Sequence, residues 1–560
     1  MTAQLGSAPV VLVVTLALAG CSAQDLGSLS ASADSPDGAG GSETAGGAPG
    51  TAAADPAGAP AGSSGSEVSL PAPPELALSP CQPSGQGQDY QVGPATGQLA
   101  SLDLVPWEKL GPGDTVRIFY RAAPYTGKFL ISAKGTKAAP VRVCGVRGPN
   151  NERPVIDGQG AMTRATLLGL YGNKAYDQDV HQARSIIVVK HNGSGAWTDF
   201  PSSIQIDGLA IRRAHPSYTF TDAAGATKPY EAFGACVWLE RGHDITIADN
   251  EISDCSQGIF SKSTDDGPFA VTQNVRIAGN RFSNCGINGD EHMHTSYVQS
   301  VGVVYELNTY GKMRAGAAGN SIKDRSVGTV VRYNRIEDGA HAIDLVESED
   351  FPATATADPA YRRTFVYGNQ ITKDGGIGSF IHYGGDHFGS SPGASWGEPI
   401  FRKGTLYFFH NTIYATGSDA AIFQLSSTEE KAEVWNNVFV FASTVKEKSL
   451  RANQDVGAGL TGGGIVQLGT NWATTGVQDS DQYHPVPGQL SGVANVITGT
   501  AAPIDLASFA PTAGSPILDV GVAGPAAAAN YAIELQLDAQ QRPVTRSVKG
   551  AAIDLGAVEL

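Results

Sequence analysis

Four chemically active side chains occupy matching positions in separate short apolar segments. Lys323, Asp344 and His382 each directly follow an isoleucine, and His294 follows a methionine. Because side chains alternate across a β-strand, a residue next to an inward apolar anchor points outward. If these segments are stacked strands, the four groups form one outward row with about 4.8 Å between neighbours. Such a row could hold an extended ligand and transfer its protons.

The same alignment adds aromatic and basic groups to this face. Phe260 and Phe423 occupy the corresponding position at the two ends of the row. Lys262 and Arg325 come two residues later on their strands and therefore face the same way. Tyr297 is expected to reach the row from the neighbouring strand.

These residue types fit the removal of a proton next to a carboxylate, which requires a cation, a base and an acid. Lys323 is the candidate base, because a neighbouring arginine would lower its pKa. Arg325 would hold the carboxylate through paired hydrogen bonds. His294 or Tyr297 would serve as base or acid.

Four further residues are expected to contact the substrate. Asp344 would orient Lys323 or help to bind a metal, and His382 would bind a neighbouring unit of the substrate. Lys262 and Glu347 complete this set. The insertion at residues 384–398, which contains Asp386 and His387, is expected to overhang the row and shape access to it.

Loop carboxylates make calcium the candidate cofactor, since calcium prefers oxygen ligands. The acidic residues concerned are Asp265, Asp266, Asp290, Glu291, Glu347, Glu349 and Asp350.

The elements that must position these groups are indicated by a repeat. A short strand ending in Asn, then one residue, then in most copies Ile, Phe or Val, recurs every 26 to 42 residues. The repeated residues are Asn250, Asn280, Asn308, Asn334, Asn369, Asn411 and Asn437. Coils of this length bury their inward side chains only by stacking. Asn tolerates the left-handed backbone of a tight corner, and its amide can bond the Asn of the next coil. The blades of a β-propeller, the competing fold, are longer than most of these spacings.

We therefore predict an all-β protein with a parallel β-helix over residues 81–440. Residues 441–560 are expected to form irregular C-terminal coils and a capping segment. Of the five cysteines in this body, Cys255 and Cys285 should stack one coil apart, either as a disulfide or as free thiols. An odd number leaves at least one thiol outside any internal pair.

The N-terminus indicates export. The apolar run from Val10 to Ala19 is too short to span a bilayer, and Leu18-Ala19-Gly20-Cys21 resembles the lipobox of bacterial lipoproteins. That resemblance implies a signal peptide at residues 1–21 and lipidation of Cys21. Residues 1–9 carry no Lys or Arg, which departs from the usual signal, and an ordinary signal peptide is the alternative. Residues 22–80, rich in Ala, Gly, Ser and Pro, predict a disordered tether.

The expected location is thus the cell envelope, facing the periplasm or the exterior, with a membrane contact through the lipid. The net charge of −16 argues against nucleic acid as a partner. We expect a monomer.

The body, roughly residues 100–560, resembles the pectate-lyase-like right-handed β-helix superfamily. The motifs that carry this resemblance are His294-Thr295-Ser296-Tyr297, Ile322-Lys323-Asp324-Arg325 and Ile343-Asp344-Leu345. The C-terminal segment resembles one that packs on the last coil of such proteins as a cap. One group in this superfamily cleaves acidic polysaccharides with a Lys base and an Arg on neighbouring coils, often with calcium. Here Lys323 and Arg325 share one strand, which departs from that pattern.

The resemblance and the residue row together predict a lyase that cleaves uronate-containing polysaccharide by β-elimination. A glycoside hydrolase fits less well, because it needs two carboxylates, and Asp344 and Glu347 lie on one strand. A uronate epimerase would share the proton abstraction. A non-catalytic carbohydrate-binding envelope protein is the reading from a different class.

Overall fold

The computed structural model describes residues 80–374, 376, 378–387, 397–452, 464–480 and 489–560, which belong to one compact unit, residues 70–560. The predicted signal peptide, Cys21 and the tether up to residue 79 lie outside the described residues. Within the described part of the chain, no helix has the length and apolar character needed to cross a membrane.

Three long parallel sheets run along the molecule, and each coil between its two ends contributes one strand to each sheet. The first sheet contains Asp89–Val92, Thr115–Phe119, Val141–Val146, Ser202–Asp207, His243–Ala248, Gln273–Ala278, Val301–Glu306, Val327–Arg332, Arg363–Tyr367, Thr405–Phe409, Lys431–Trp435, Ile465–Leu468 and Gln489–Ser491. The second contains Val155–Asp157, Ala210–Arg212, Glu251–Ser253, Arg281–Ser283, Thr309–Tyr310, Arg335–Ile336, Gln370–Asp374, Thr412–Thr416, Val438–Phe441, Asn471–Thr474 and Val496–Gly499. The third contains Phe129–Ile131, Ser185–Val189, Ala235–Leu239, Gln257–Ser261, Ser296–Val298, Ile322–Asp324, Ile343–Leu345, Ile381–Tyr383, Asp419–Leu425, Glu447–Ala452 and Gln478–Ser480. This topology is the predicted right-handed parallel β-helix.

The remaining elements are small. Two minor sheets pair Ala161–Met162 with Thr219–Thr221 and Thr227–Pro229, and Leu535–Leu537 with Pro543–Thr545. The α-helices are Ala165–Tyr171, Ala175–Arg184 and Pro352–Ala357. Single 3₁₀ turns are Leu102–Leu104, Trp107–Lys109, Pro268–Ala270, Pro359–Arg362, Glu398–Ile400, Val493–Asn495 and Ala526–Ala528.

A ladder of asparagine side chains joins the coils at the corner between the first and second sheets. Each side-chain amide donates to the side-chain oxygen of the next Asn, as from Asn280 to Asn308 at 3.1 Å and from Asn308 to Asn334 at 3.0 Å. These three side chains are fully buried, so the ladder satisfies corner backbone groups that water cannot reach. The predicted amide bonding between coils is confirmed.

The backbone role predicted for these asparagines is wrong. The left-handed residue is the one before each Asn, with φ of 51° at Asp249, 58° at Leu307 and 57° at Tyr333. The ladder Asn contributes hydrogen bonds, and its predecessor makes the turn. This division of labour explains why the preceding position varies while Asn recurs.

Regular stacking extends beyond residue 440, where the sequence pattern placed its end. Asn437 donates to Asn471 at 2.9 Å, which continues the ladder by one more rung. The sequence pattern misses this rung because Ala473 stands two residues after Asn471, where most copies of the repeat have Ile, Phe or Val.

The C-terminal segment lies along the flank of the solenoid. Tyr531 stacks on the outward ring of Phe365 at 3.5 Å between centroids, and the Glu534 N–H donates to the Tyr333 hydroxyl at 3.0 Å. The Ala557 N–H donates to the Thr412 hydroxyl at 2.9 Å. These contacts fall on several coils, so the segment covers outward apolar side chains, whereas a cap on the last coil was predicted.

The cysteines pair differently from the prediction. Disulfides join Cys81 to Cys144 and Cys236 to Cys255, and Cys285 is a buried free thiol. Cys255 bonds backwards to the preceding coil, so Cys285 has no pairing partner left above it.

Replacing Asn308 with alanine tests the ladder. The change leaves the buried Asn280 N–H and Ile277 carbonyl without their partners at 2.9 and 2.8 Å, so we expect a loss of about 2 to 3 kcal/mol of unfolding free energy. Denaturant-induced unfolding followed by circular dichroism measures it. The exposed Asn150→Ala variant is the matched control and should change stability by less than about 0.5 kcal/mol. Equal losses in the two variants would contradict a structural role for the ladder.

Candidate functional site

The outward face of the third sheet carries the predicted row with a corrected register. Backbone pairing aligns one residue per coil. The aligned residues are Phe260, Tyr297, Lys323, Asp344, His382 and Gln424. Lys323, Asp344 and His382 therefore stand on consecutive coils, as the spacing of their isoleucines indicates.

The predicted alignment is wrong at two positions. Tyr297 occupies the place assigned to His294, because the strand begins at Ser296 and this small polar residue takes the inward position opposite Ile259 and Ile322. Phe423 pairs with Ile381 inside the core, and Gln424 takes the outward place. Both errors come from the apolar anchor: Met293 lies outside the strand Ser296–Val298, and Ile422 precedes Phe423, the residue that pairs with Ile381.

His294 still lies beside the row. Its ring centroid is 5.4 Å from that of Tyr297, and its Nδ1 accepts the Asn320 N–H at 3.0 Å. The proton of the neutral ring is therefore on Nε2. Burial lowers the pKa of His294 well below its ordinary value, and the nearby Lys323 ammonium adds to this effect. His294 is thus a neutral hydrogen-bond donor.

Lys323 is a buried ammonium held between two carboxylates. Its Nζ donates to Asp344 Oδ2 at 2.7 Å and contacts Asp386 Oδ2. Burial alone would lower the pKa of Lys323, but the charges of these two carboxylates outweigh it and the net shift is upward. This contradicts the role of base predicted for Lys323, which required a lowered pKa.

Arg325 directly follows the strand Ile322–Asp324 and is surrounded by acceptors. It donates from Nε to the Tyr297 hydroxyl at 3.0 Å, and it donates to Glu347 Oε2 at 3.2 Å and to Asp386 Oδ1 at 3.0 Å. Glu349 Oε1 lies 3.1 Å from Nε. Burial opposes the charged form, yet the surrounding anions raise the pKa of Arg325 well above its ordinary value.

Glu347 is fully buried and anchors the described start of the 384–398 insertion. Its carboxylate accepts the N–H groups of Asp386 at 3.0 Å and His387 at 3.1 Å, and it contacts His387 Nδ1 at 2.6 Å. These bonds hold Asp386 over Lys323 and Arg325. The expected overhang is present in residues 384–387, and residues 388–396 lie outside the described part.

The Tyr297 hydroxyl connects Arg325 to a carboxylate. It accepts from Arg325 and donates to Glu349 Oε1 at 2.9 Å. Burial raises the pKa of Tyr297 well above its ordinary value, so the free protein holds a neutral phenol with a ready proton acceptor. This arrangement is a short path for a proton from the row to Glu349.

His382 links Asp344 to a serine. Its Nδ1 lies 2.8 Å from Asp344 Oδ1 and its Nε2 lies 3.1 Å from the Ser426 hydroxyl. The connectivity is that of a hydroxyl–imidazole–carboxylate triad. However, Ser426 is fully buried and accepts the Gly385 N–H at 2.8 Å. The serine therefore supports the segment above it and cannot be reached as a nucleophile.

The row is closed at its N-terminal end. Phe260 and Trp238 pack beneath Leu167 and Tyr171 of the helix Ala165–Tyr171 in one apolar cluster. Lys262, half-buried, lies two residues beyond Phe260 on the same strand face. It is separated from the Lys323 cluster by one coil, so the structure groups it with the charged residues of the preceding coils.

Sequence reasoning missed the contribution of three residues to this site. Asp386, Glu349 and Asn320 all lie outside the strands, where no periodicity aligns them with the row. Asn320 donates from Nδ2 to Asp344 Oδ2 at 2.6 Å. The only signal for them is their position next to a predicted strand end or insertion.

Calcium at the loop carboxylates stays a proposal, and two of the residues named for it, Glu347 and Asp265, already accept hydrogen bonds from the protein. Glu347 accepts the Arg325 guanidinium at 3.2 Å and the His387 N–H at 3.1 Å. Asp265 accepts the N–H groups of Ala353 and Thr354 at 2.8 and 2.9 Å and serves the helix Pro352–Ala357.

Comparisons with known proteins add a likeness of fold. No protein-family model matches the chain, and no curated protein matches its sequence. An alginate lyase from a Paenibacillus strain is 13% identical, with 68% of this chain and 95% of that chain covered and a TM-score of 0.31. A GH136 lacto-N-biosidase from Eubacterium ramulus is 15% identical, with coverage of 69% and 67% and a TM-score of 0.37. Pectate lyase Pel9A is 11% identical, with coverage of 84% and 96% and a TM-score of 0.34.

Removing the Lys323 ammonium should change the acid limit of stability. In the protein, Lys323 and its neighbours outweigh burial and hold the pKa values of Asp344 and Asp386 below the ordinary value of 3.8. The stability they contribute is therefore complete above the ordinary carboxyl pKa and is lost as the pH falls below it. In Lys323→Met the same buried carboxyls lose their cation, their pKa values rise, and thermal stability should begin to fall at a higher pH.

Thermal unfolding between pH 7 and about pH 3 measures this shift. The exposed Lys312→Met variant is the control and should follow the pH profile of the unchanged protein. Superimposable profiles for Lys323→Met and the unchanged protein would show that the two carboxylates do not depend on this ammonium.

Proposed function

We propose that this chain processes acidic polysaccharide and cleaves uronate-containing glycans by β-elimination. The observation that carries the proposal is the convergence of Lys323 and Arg325 on one carboxylate. Their shared partner in the free protein is Asp386, which shows that the pair has the geometry to bind a carboxylate group. A uronate carboxylate would replace Asp386 there.

Neutralising that carboxylate is the main electrostatic task in β-elimination, because negative charge develops on it as the neighbouring proton leaves. Two buried cations perform this task better than exposed ones, since little water competes for the charge. Both Lys323 and Arg325 are nearly buried and both keep their charge.

The proton path follows from the contacts of Tyr297 and His294. Tyr297 would pass its hydroxyl proton to Glu349 and take the proton from the carbon next to the carboxylate. The electron pair of that C–H bond forms the new double bond, and the C–O bond to the leaving sugar breaks. The Tyr297 hydroxyl would then give that proton to the leaving oxygen and recover its own from Glu349, while the neutral His294 Nε2–H would hold that oxygen by a hydrogen bond.

Hydrolysis is the second candidate. The sequence offered no suitable pair of carboxylates for it, but the structure brings two carboxylates together. Asp344 and Asp386 contact the same ammonium, so the two contacting oxygens lie within roughly 5.5 Å of each other, which is compatible with a retaining carboxylate pair. Their lowered pKa values oppose this function, because one member of such a pair must carry a proton as the general acid. The two cations that converge on one carboxylate support elimination instead.

The remaining expectations stay proposals. We propose the lipid anchor at Cys21, the cell-envelope location and the monomeric state on the sequence alone. The epimerase and the non-catalytic binding protein are alternatives that the experiment below distinguishes.

Arg325→Met and Lys323→Met test the proposed elimination. Each variant leaves the substrate carboxylate with one cation, so we expect kcat/KM on a uronate polysaccharide to fall by about 100-fold or more. Ultraviolet absorbance of the unsaturated product and the release of reducing ends are followed together. The control is Arg281→Met, which removes an exposed arginine on the second sheet.

The paired readouts separate the functions. Reducing ends without absorbance would establish hydrolysis. Exchange of solvent deuterium into uncleaved polymer would establish an epimerase. Binding without either change would favour the envelope protein, and equal activity in Arg325→Met and Arg281→Met would remove Arg325 from the site.

A further inference from the structure

Two imidazoles and a carboxylate meet at the C-terminal half of the row. Ligand atoms of His341, Asp344 and His382 all lie within 4.8 Å of one another, and the two histidine rings are 4.9 Å apart between centroids. His341 and Asp344 belong to one coil, and His382 is paired with Asp344 from the next. The β-helix register therefore fixes Asp344 and His382, and the His341 N–H is held by Asn320 Oδ1 at 2.9 Å.

The second nitrogen of each imidazole already has a partner suited to a metal ligand. His341 Nδ1 is 3.0 Å from the Ser379 carbonyl oxygen, so Nδ1 carries the proton and Nε2 has a free lone pair. His382 Nε2 is 3.1 Å from the Ser426 hydroxyl. Histidine ligands usually make such outer bonds, which fix the ring and its tautomer.

The carboxylate is oriented in the same manner. Asp344 Oδ2 accepts from Asn320 at 2.6 Å and from Lys323 at 2.7 Å, while Oδ1 faces His382 Nδ1 at 2.8 Å. A cation at Oδ1 would replace the Nδ1 proton of His382. That proton would move to Nε2, where the Ser426 hydroxyl accepts it, or leave to solvent.

We propose that His341, Asp344 and His382 bind a divalent transition-metal ion of the zinc class. Imidazole nitrogens with one monodentate carboxylate suit Zn²⁺ and its neighbours, whereas calcium requires more oxygen ligands. Three protein ligands leave a fourth position for water or a substrate oxygen. His341 is half-buried while its two partners are buried, so the ion enters from the His341 side.

This site does not depend on the proposed elimination. Asp344 connects the two, because its other oxygen binds Lys323. The ammonium repels a cation at Oδ1, so it weakens metal binding and places the site among moderate rather than very tight ones. Removing the Lys323 ammonium, as in Lys323→Met, should therefore strengthen metal binding.

The test is equilibrium dialysis of the full chain against Zn²⁺ alone, with bound metal measured by atomic emission, and the visible absorption of the Co²⁺ form as a second readout. We expect one Zn²⁺ per chain at this site and a Co²⁺ band typical of four coordination. His341→Ala and His382→Ala should weaken binding by 100-fold or more, and Ser426→Ala by about 10-fold. Lys323→Met should bind Zn²⁺ more tightly.

Two controls locate the ion. The exposed His292→Ala variant should bind as the unchanged chain does. His387→Ala removes the imidazole of the neighbouring Glu347, Asp386 and His387 cluster and should also retain binding. Loss in His387→Ala with retention in His341→Ala would overturn the proposal, as would the absence of bound Zn²⁺ in the unchanged chain. If an alanine variant fails to fold, the Lys323→Met variant still decides the question, because there the proposal predicts tighter Zn²⁺ binding.

Discussion

Backbone pairing between successive coils is the constraint on which the rest of this molecule depends. It spaces the coils by about 4.8 Å and allows one residue per coil to enter each outward row. The asparagine ladder reinforces this register, because each buried amide bonds both the backbone and the side chain of its neighbours. A slip of one residue would exchange the inward and outward faces of a strand and separate Lys323 from Asp344.

The row contains two buried cations that are stabilised by several carboxylates close to them. Lys323 and Arg325 are almost removed from water, which costs several kcal/mol for an isolated ion. Asp344, Glu347 and Asp386 repay this cost by short, directed contacts. Both cations are already paired with carboxylates in the free protein, so the uronate carboxylate of the proposed function would have to compete with Asp386 for them. Affinity and specificity would then be set by the difference in binding free energy between the substrate carboxylate and Asp386 at the same two cations.

The strand residues of the site could be predicted from sequence, and the loop residues could not. Lys323, Asp344 and His382 were aligned correctly because an isoleucine precedes each, and isoleucine is rarely left outside a β-core. His294 was misplaced because the inward residue of its strand is Ser296, whose hydroxyl contacts Tyr310 in the interior at 3.3 Å. Asp386 carries no periodic signal, since its position is set by the bonds of its backbone to Glu347.

The same limit applies to chemistry. Adjacent Lys and Arg predict a lowered lysine pKa only when no anion is close, and the anions that reverse the shift of Lys323 come from the next coil and from a loop. The two oxygens of Asp344 contact different groups. Its Oδ2 keeps Lys323 charged for binding a carboxylate, and its Oδ1 faces two imidazoles. In the two proposals this single carboxylate separates the half of the row that would bind a substrate carboxylate from the half that would bind a metal cation, and the charge on each half would depend on what occupies the other.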